Sequence, residues 1–298
     1  MAKPLRQEKL LVQGGAGTKQ ISFPYPGLTL VSSFMLWWQV RDLYWYCGNS
    51  IESRSIELAI NDPGLLYGAT VFTTFRTDKC STSGYDLHCE RLRSSIDELD
   101  WIQPNWNQVR SGVECLTPHF PVLRITIFPD GRELITGRDL PPNLATWQQE
   151  GVTVIVTEQK FTRSFPHHKT GNYLAPWLAL KQARNQNIQE AILTNDRGDW
   201  LETTTGNLWG YRDGCWYTPP VSAGILPGIA RSQILSLLKQ QNRSVSEVEW
   251  TAEWIKGLEA LGYSNSVVGF IPIHTVITPV GAIEYTARHP AIAEVSWL

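Results

Sequence analysis

Three short segments of this chain carry groups that could act together on one small molecule. Lys169 lies in HKTGNYL, Glu202 follows in WLETTTGNL, and Gly228 comes later in GILPGIAR. A lysine amine can bond reversibly to an aldehyde. A carboxylate keeps a nearby ring nitrogen protonated, because opposite charge favours the charged form. A helix that opens on glycine offers free N–H groups to a phosphate.

In this order the three groups match the aldehyde, the ring nitrogen and the phosphate of pyridoxal phosphate (PLP). We therefore predict a PLP site with Lys169 as the catalytic residue, partly desolvated so that its pKa falls towards neutrality. Arg91, in HCERL, could add a charge-assisted contact to the phosphate, and Ser266, in YSNSV, a hydroxyl and an N–H. Taken alone, each residue also fits a simpler interpretation, such as a solvent-exposed charge, an ordinary helix start or a turn serine.

The composition excludes several classes of function. The chain has 298 residues, five cysteines and a formal net charge of −2. The near-neutral charge indicates no nucleic-acid or anionic-membrane partner. An odd number of cysteines without metal-ligand spacing predicts reduced thiols, no metal site and a cytoplasmic location. The apolar run at 27–40 is too short to span a membrane. Residues 1–40 are expected to be an N-terminal extension, peripheral or poorly ordered, with Met35 as an alternative start.

The remaining elements predict an α+β fold with mixed sheets in two domains, with the cofactor in the cleft between them. We expect a small N-terminal α/β domain at 41–160 and a larger C-terminal PLP-binding domain at 161–298. Apolar periodicity predicts helices at 85–99, 173–185 and 228–241. Strands are predicted at 43–46 and 55–60 as a hairpin, and at 65–76, 121–128, 152–157, 191–194, 208–211, 216–218, 244–249 and 266–273.

These segments, in this order along the chain, resemble those of the class IV PLP-dependent enzymes. That family includes branched-chain aminotransferases, D-amino-acid aminotransferases and aminodeoxychorismate lyases. The resemblance runs from about residue 43 to the C-terminus. It depends on Lys169…Asn172-Tyr173-Leu174, Glu202…Asn207-Leu208, Leu226-Pro227-Gly228-Ile229…Arg231 and the segment from His88 to Leu92. It implies a D-amino-acid aminotransferase-like fold and a homodimer whose partner helps to close the site.

The resemblance also implies roles for individual residues. Lys169 would bind the cofactor's aldehyde and shuttle protons, Glu202 would pair with the ring nitrogen, and Tyr173 would hydrogen-bond the ring oxygen. The other implied cofactor-binding residues are Arg91, Leu226, Gly228, Ile229, Ala230 and Ser266. Family members often carry threonine where Ala230 stands, so one hydroxyl contact to the phosphate is missing here.

The segment Phe72-Thr73-Thr74 favours one reaction within the family. Branched-chain aminotransferases usually carry Phe-Glu-Gly or Phe-Glu-Thr at this place, whereas Phe-Thr-Thr resembles aminodeoxychorismate lyases. Those lyases convert 4-amino-4-deoxychorismate to 4-aminobenzoate and pyruvate, a step towards folate. The Arg-Gly pair that transaminases of the family often show after the strand at 121–128 is also replaced, by Pro129-Asp130-Gly131.

We therefore predict a PLP-dependent aminodeoxychorismate lyase that acts on a small amino substrate. Thr73, Arg124 and Arg132 are the candidate substrate-binding residues. One alternative is a class IV aminotransferase that acts on branched-chain or D-amino acids with 2-oxoglutarate. Another is a cofactor-free binding or scaffold protein of the same fold.

Overall fold

The computed structural model describes residues 43–52, 55–78, 82–158 and 161–296, all within one unit that spans residues 37–298. The prediction for residues 1–40 lies outside the described residues, and the domain division near residue 160 stays a prediction. In the described part of the chain no helix is long and apolar enough to cross a membrane. The four cysteines described there, Cys47, Cys89, Cys115 and Cys215, are free thiols.

A five-stranded antiparallel sheet forms the first layer, in the order β2-β1-β5-β4-β3. Its strands are β1 (Tyr44–Tyr46), β2 (Asn49–Ile51), β3 (Val71–Arg76), β4 (Val122–Ile127) and β5 (Glu133–Arg138). Side chains alternate between the two faces of each strand. One face is apolar and packs with α2 (Thr82–Glu98) and α3 (Trp106–Leu116). The other face carries the polar side chains that matter below.

Two expectations for this layer are wrong. Residues 55–60 form no strand, because the two-residue turn Cys47-Gly48, with φ of 49° and 79°, places Asn49–Ile51 directly opposite β1. The run at 65–76 is also not one strand. It begins inside a helix, α1 (Pro63–Tyr67), whose N-cap Asp62 accepts a hydrogen bond from the N–H of Gly64.

The second layer is a nine-stranded mixed sheet, in the order β11-β10-β9-β12-β13-β6-β7-β8 with β14 on β13. Its strands are β6 (Val152–Val156), β7 (Glu190–Thr194), β8 (Trp200–Thr203), β9 (Asn207–Arg212), β10 (Cys215–Thr218), β11 (Ser244–Glu247), β12 (Ala260–Asn265), β13 (Gly269–Thr278) and β14 (Gly281–Glu284). A further pairing joins β8 to β9 at Glu202 and Asn207, so six of these strands form a closed ring. Glu202 therefore lies at the point of closure.

Two helices of the second layer, α5 (Leu174–Arg184) and α6 (Ile229–Gln240), confirm the predicted helices within one residue at each end. A third helix, α4 (Leu144–Glu150), precedes β6. The predicted strand at 266–273 is shifted, because residues 266–268 are the turn between β12 and β13. The result is an α+β fold with mixed sheets, as predicted.

Candidate active site

A cavity of about 320 Å³ collects most of the residues singled out in the sequence. One side is the polar face of the five-stranded sheet. We call this side the sheet wall, formed by Phe72, Thr74, Arg124, Thr136 and Arg138. The opposite side is formed where β8, β9 and the start of α6 meet. We call it the helix wall, formed by Glu202, Leu226, Gly228, Ile229 and Ala230. Lys169, Tyr173, Arg91 and Ser266 also line the cavity.

Lys169 is held in place through its backbone. Its carbonyl accepts a hydrogen bond of 2.8 Å from the N–H of Phe72, and the N–H of Gly171 donates to the carbonyl of Thr70 at 2.7 Å. These two bonds pair the lysine segment with β3, the edge strand of the five-stranded sheet. The Lys169 Nζ lies 4.8 Å from the ring centre of Phe72 and 5.3 Å from that of Tyr173.

The surroundings of Lys169 favour a neutral amine. Burial lowers its pKa well below the ordinary lysine value, and the nearby cations Arg91 and Arg163 lower it further. The negative charge of Glu202 raises the pKa of Lys169, but it does not cancel this lowering. A neutral amine is the form that can attack an aldehyde or accept a proton.

Glu202 is fixed on both of its carboxylate oxygens. Oε1 accepts a hydrogen bond of 2.7 Å from Arg163 Nη1, and Oε2 accepts one of 3.1 Å from the N–H of Leu226. Arg163 Nη2 also donates to the carbonyl of His168 at 2.8 Å. The side chains of Arg163 and Glu202 are only 7% and 6% exposed, so this is a buried ion pair. Sequence reasoning missed Arg163, which lies in a loop and belongs to no recognisable motif.

The first turn of α6 is free to bind an anion. Gly228 is its N-cap residue, and no side chain caps the helix. The N–H groups of an uncapped first turn, together with the helix dipole, attract negative charge. Gly228 is required here, because a Cβ would collide with the side-chain oxygen of Asn207. Asn207 in turn donates from Nδ2 to the carbonyl of Leu226 at 2.8 Å.

Arg91 reaches the cavity around the edge of β3. Its Nη2 donates to Thr73 Oγ1 at 2.9 Å, and the same hydroxyl lies 2.5 Å from His88 Nδ1. Burial lowers the pKa of Arg91 to about 10, so it stays charged at neutral pH. Its buried Nε has no hydrogen-bond partner in the described structure. A buried donor without an acceptor points to a ligand that supplies one.

Tyr173 donates its hydroxyl to the carbonyl of Thr204 in the loop between β8 and β9. That loop is also tied to Glu190, a buried carboxylate which the sequence did not reveal as a site residue. Glu190 accepts hydrogen bonds from the hydroxyls of Thr204 and Thr205 and from the N–H of Ala191. Burial raises the pKa of Tyr173, which keeps its phenol protonated.

Two of the three candidate substrate-binding residues do not line the cavity. The Thr73 side chain lies on the opposite face of β3 from Phe72 and Thr74, so Thr74 faces the cavity instead. Arg132 is bound elsewhere, to Asp62 at 2.5 Å and to Asp130 at 2.6 Å. These two placements correct the sequence prediction.

Arg124, by contrast, is on the sheet wall, and its guanidinium carbon lies 3.6 Å from the ring centre of Phe72. Burial lowers its pKa to about 10. Arg138 is a second arginine on the same wall, and it was not among the predicted residues. In the part of the chain that the structure describes, no group of three or more His, Cys, Asp or Glu side chains could hold a metal ion.

The chain is similar to several curated proteins over most of their length. It is 23% identical over 243 residues to an aminodeoxychorismate lyase of Vibrio harveyi, covering 76% of this chain and 90% of that protein. It is 25% identical over 273 residues to a branched-chain-amino-acid aminotransferase of Salmonella typhimurium, covering 79% of this chain and 85% of that protein. These identities do not separate the two activities.

The fold is shared with a solved structure of a hypothetical aminotransferase from Mycobacterium tuberculosis in its PLP-bound form. The TM-score is 0.72 at 17% identity, with 85% of this chain and 97% of that chain covered. The family model for class IV amino-transferases matches residues 70–276, which is more than half of the chain. The chain therefore belongs to the class IV aminotransferase family.

Proposed function

We propose that this protein is a PLP-dependent aminodeoxychorismate lyase, which converts 4-amino-4-deoxychorismate to 4-aminobenzoate and pyruvate. The buried amine of Lys169 carries the proposal, because it faces a cavity that also presents a fixed carboxylate and an uncapped helix. The lyase assignment is supported by Phe72-Thr73-Thr74 and by the similarity to the Vibrio harveyi lyase.

The residues of the cavity fit PLP. The orphaned Nε of Arg91 and the first turn of α6 supply donors for a phosphate. Lys169 supplies the amine for the aldehyde, and Glu202 supplies the carboxylate for the ring nitrogen. When bound, the cofactor would withdraw electrons from the carbon that carries the substrate's amine.

The side chains then perform the proton transfers. The neutral amine of Lys169 accepts the proton from the ring carbon that carries the amine, and returns a proton to the departing enolpyruvate. Glu202, held by Arg163, would stabilise positive charge at the ring nitrogen. These steps gain and lose no atoms, because the two products together have the composition of the substrate. Lys169 returns to the neutral amine.

Arg124 is the residue that we propose for a substrate carboxylate close to Lys169. It stacks on Phe72, the same ring that lies against the Lys169 amine. A guanidinium binds a carboxylate through two parallel N–H donors, which fixes orientation as well as position. The substrate bond that breaks would thus lie beside the amine of Lys169.

A product assay tests the proposal. Purified protein loaded with PLP is mixed with 4-amino-4-deoxychorismate, with no keto acid present. We expect pyruvate and 4-aminobenzoate in equal amounts, because a lyase needs no second half-reaction. Amino transfer that depends entirely on 2-oxoglutarate would overturn the lyase assignment. It would favour a class IV aminotransferase for branched-chain or D-amino acids, which the similarity to the Salmonella typhimurium enzyme keeps as the second candidate.

We also propose that the protein acts as a homodimer through an apolar surface beside the site. Leu65 and Tyr67 on α1 are 58% and 73% exposed, and Leu174 and Trp177 on α5 are 62% and 53% exposed. The bond between Gly171 and Thr70 brings the two helices close together. Exposed apolar surface of this kind commonly marks an interface. Light scattering should give twice the mass of one chain for the native protein, and a lower mass for Trp177→Glu.

A further inference from the structure

Two arginines of the sheet wall have no acidic partner in the described chain. Six cationic side chains line the cavity: Arg91, Arg124, Arg138, Arg163, Lys169 and Arg184. Only two acids do so, Glu190 and Glu202. Glu202 is paired with Arg163, and Glu190 is occupied by the Thr204 and Thr205 hydroxyls. Neither Arg124 nor Arg138 lies within ion-pair distance of a described carboxylate.

The few contacts of these two arginines leave most of their donors unused. Arg124 Nε donates to Thr126 Oγ1 at 3.3 Å, and Arg138 Nη1 donates to the carbonyl of Asp139 at 3.3 Å. Each guanidinium has five N–H donors. Burial lowers the pKa of both side chains.

The sheet sets the spacing between the two arginines. In the antiparallel pair of β4 and β5, Arg124 is opposite Thr136, and Arg138 is opposite Val122. The two arginines are therefore diagonal neighbours on one face, with backbones roughly 7–8 Å apart. Arg124 is the one whose charge acts on Lys169, whereas Arg138 is affected by Arg184, at another part of the cavity.

We propose that Arg138 is a specificity residue that binds a second carboxylate of the substrate, while Arg124 binds the first. This deepens the proposed function and rests on it, because it names the substrate class as small, rigid molecules with two carboxylates. Two guanidinium groups at this spacing match two carboxylates on one ring or on a short side chain. Arg138 would recognise the carboxylate farther from the reacting carbon.

An apolar substrate side chain would be a poor occupant of the sheet wall. It would displace water from Arg138 without supplying an acceptor, which leaves a charged group both buried and unpaired. A monocarboxylate would satisfy only one of the two arginines. The two arginines of the sheet wall therefore favour a substrate with two negative charges. They disfavour a branched-chain side chain, because such a side chain would remove water from Arg138 and give it no hydrogen-bond acceptor.

Binding of rigid aromatic acids tests the proposal without any turnover. Benzene-1,3-dicarboxylate and benzoate are titrated by calorimetry into the PLP-loaded wild type, Arg138→Gln, Arg138→Lys and the control Arg243→Gln. Arg243 lies outside the cavity, where it pairs with Glu294, and its side chain is 54% exposed. We expect the wild type to prefer the dicarboxylate, and Arg138→Gln to lose about 10- to 100-fold in affinity for it but little for benzoate. Arg138→Lys should lose less, and Arg243→Gln nothing.

Equal losses for both acids in Arg138→Gln, or no loss for either, would overturn the proposal. Thermal unfolding of each variant shows whether it is folded, and Arg138→Lys keeps the test decisive if Arg138→Gln does not fold. The lyase assay separates this inference from the proposed function. Dicarboxylate binding that depends on Arg138, without lyase turnover, would refute the lyase alone. Lyase turnover with an unchanged KM in Arg138→Gln would refute the specificity role alone.

Discussion

The two walls of the cavity differ in how far their polar groups are already partnered. On the helix wall, Glu202 has hydrogen bonds on both oxygens, and its closest cation is buried with it. On the sheet wall, Arg124 and Arg138 have one long hydrogen bond each and no acid. A site that binds a permanent cofactor gains from groups fixed in advance. A site that must bind and release a substrate gains from charges which the ligand itself satisfies.

The walls also differ in how they are built. The helix wall is formed where the six-stranded ring closes and a helix begins, so backbone geometry fixes its groups. The sheet wall is one face of an antiparallel sheet, so its side chains can change without altering the backbone. We expect substitutions on the helix wall to remove catalysis or folding, and those on the sheet wall to change which molecule binds.

The largest effect should come from Lys169→Ala. Activity should fall at least about 10³-fold, because the role that we propose for this residue is both to attach the cofactor and to move protons. Borohydride reduction followed by peptide mapping should show PLP on the peptide with Lys169 in the wild type and no adduct in the variant. Lys239→Ala, an exposed lysine on α6, is the matched control and should keep both the adduct and the activity. An adduct on another lysine in the wild type would contradict the assigned role.

The second-largest effect should come from breaking the buried ion pair between Arg163 and Glu202. Arg163→Leu leaves the Glu202 carboxylate buried without its cation, and should lower the free energy of unfolding by about 3–5 kcal/mol. The double variant Arg163→Leu with Glu202→Leu should regain part of that stability but none of the activity. Urea denaturation and the lyase assay measure the two quantities. A double variant that is less stable than Arg163→Leu would show that the pair is not the source of the loss.

Substitutions on the two faces of β3 should have smaller effects, and each face should change a different constant. Thr73→Val removes the hydroxyl that accepts a hydrogen bond from Arg91, so the Kd for PLP should rise about tenfold with little change in the substrate KM. Thr74→Val alters the sheet wall, so it should raise the substrate KM several-fold and leave the Kd for PLP unchanged. Equilibrium dialysis and steady-state kinetics distinguish these outcomes. If both variants shifted the same constant, the division of roles between the faces would be wrong.

The smallest effect should come from Glu190→Gln, since the amide can keep the hydrogen bonds to Thr204 and Thr205. We expect a change in unfolding free energy within about 1 kcal/mol near pH 5. Burial raises the pKa of Glu190, so its contribution to stability is present at acid pH and is lost as pH rises through the folded-state pKa. The variant cannot titrate, so it should gain stability relative to the wild type as pH rises from about 4 to 7.

Denaturation curves across this pH range test the prediction for Glu190. Glu249→Gln is the matched control, because Glu249 has a 58% exposed side chain in a surface ion pair. An exposed ion pair contributes little to stability, so the unfolding free energy of this variant should stay within about 1 kcal/mol of the wild type. A constant difference between Glu190→Gln and the wild type over the same range would contradict the raised pKa.

Local patterns predicted the helix wall well, because its signals lie within short segments. The glycine before α6, the apolar side of that helix and the segment around Glu202 are each contained in about ten residues. The partner of Glu202 was not predictable in this way. Arg163 lies 39 residues away in the sequence, in a loop, and only the fold brings the two together.

The sheet wall was predicted less well, because neighbouring residues on a strand face opposite ways. Both faces of β3 are largely buried, so no alternation of polar and apolar residues indicated whether Thr73 or Thr74 faces the cavity. Arg124 and Arg132 were equally plausible from sequence, and an aspartate pair decided the position of Arg132. Arg138 has no local signal, since its significance depends on its diagonal relation to Arg124.

The edge strand β3 has a mechanical consequence for the whole pocket. Its backbone is bonded near one end to Lys169 and near the other to Ser266, through Phe72 N–H and Arg76 N–H at 2.8 and 3.2 Å. This one strand therefore joins the lysine segment to the turn after β12, and its length sets the distance between these two sides of the cavity.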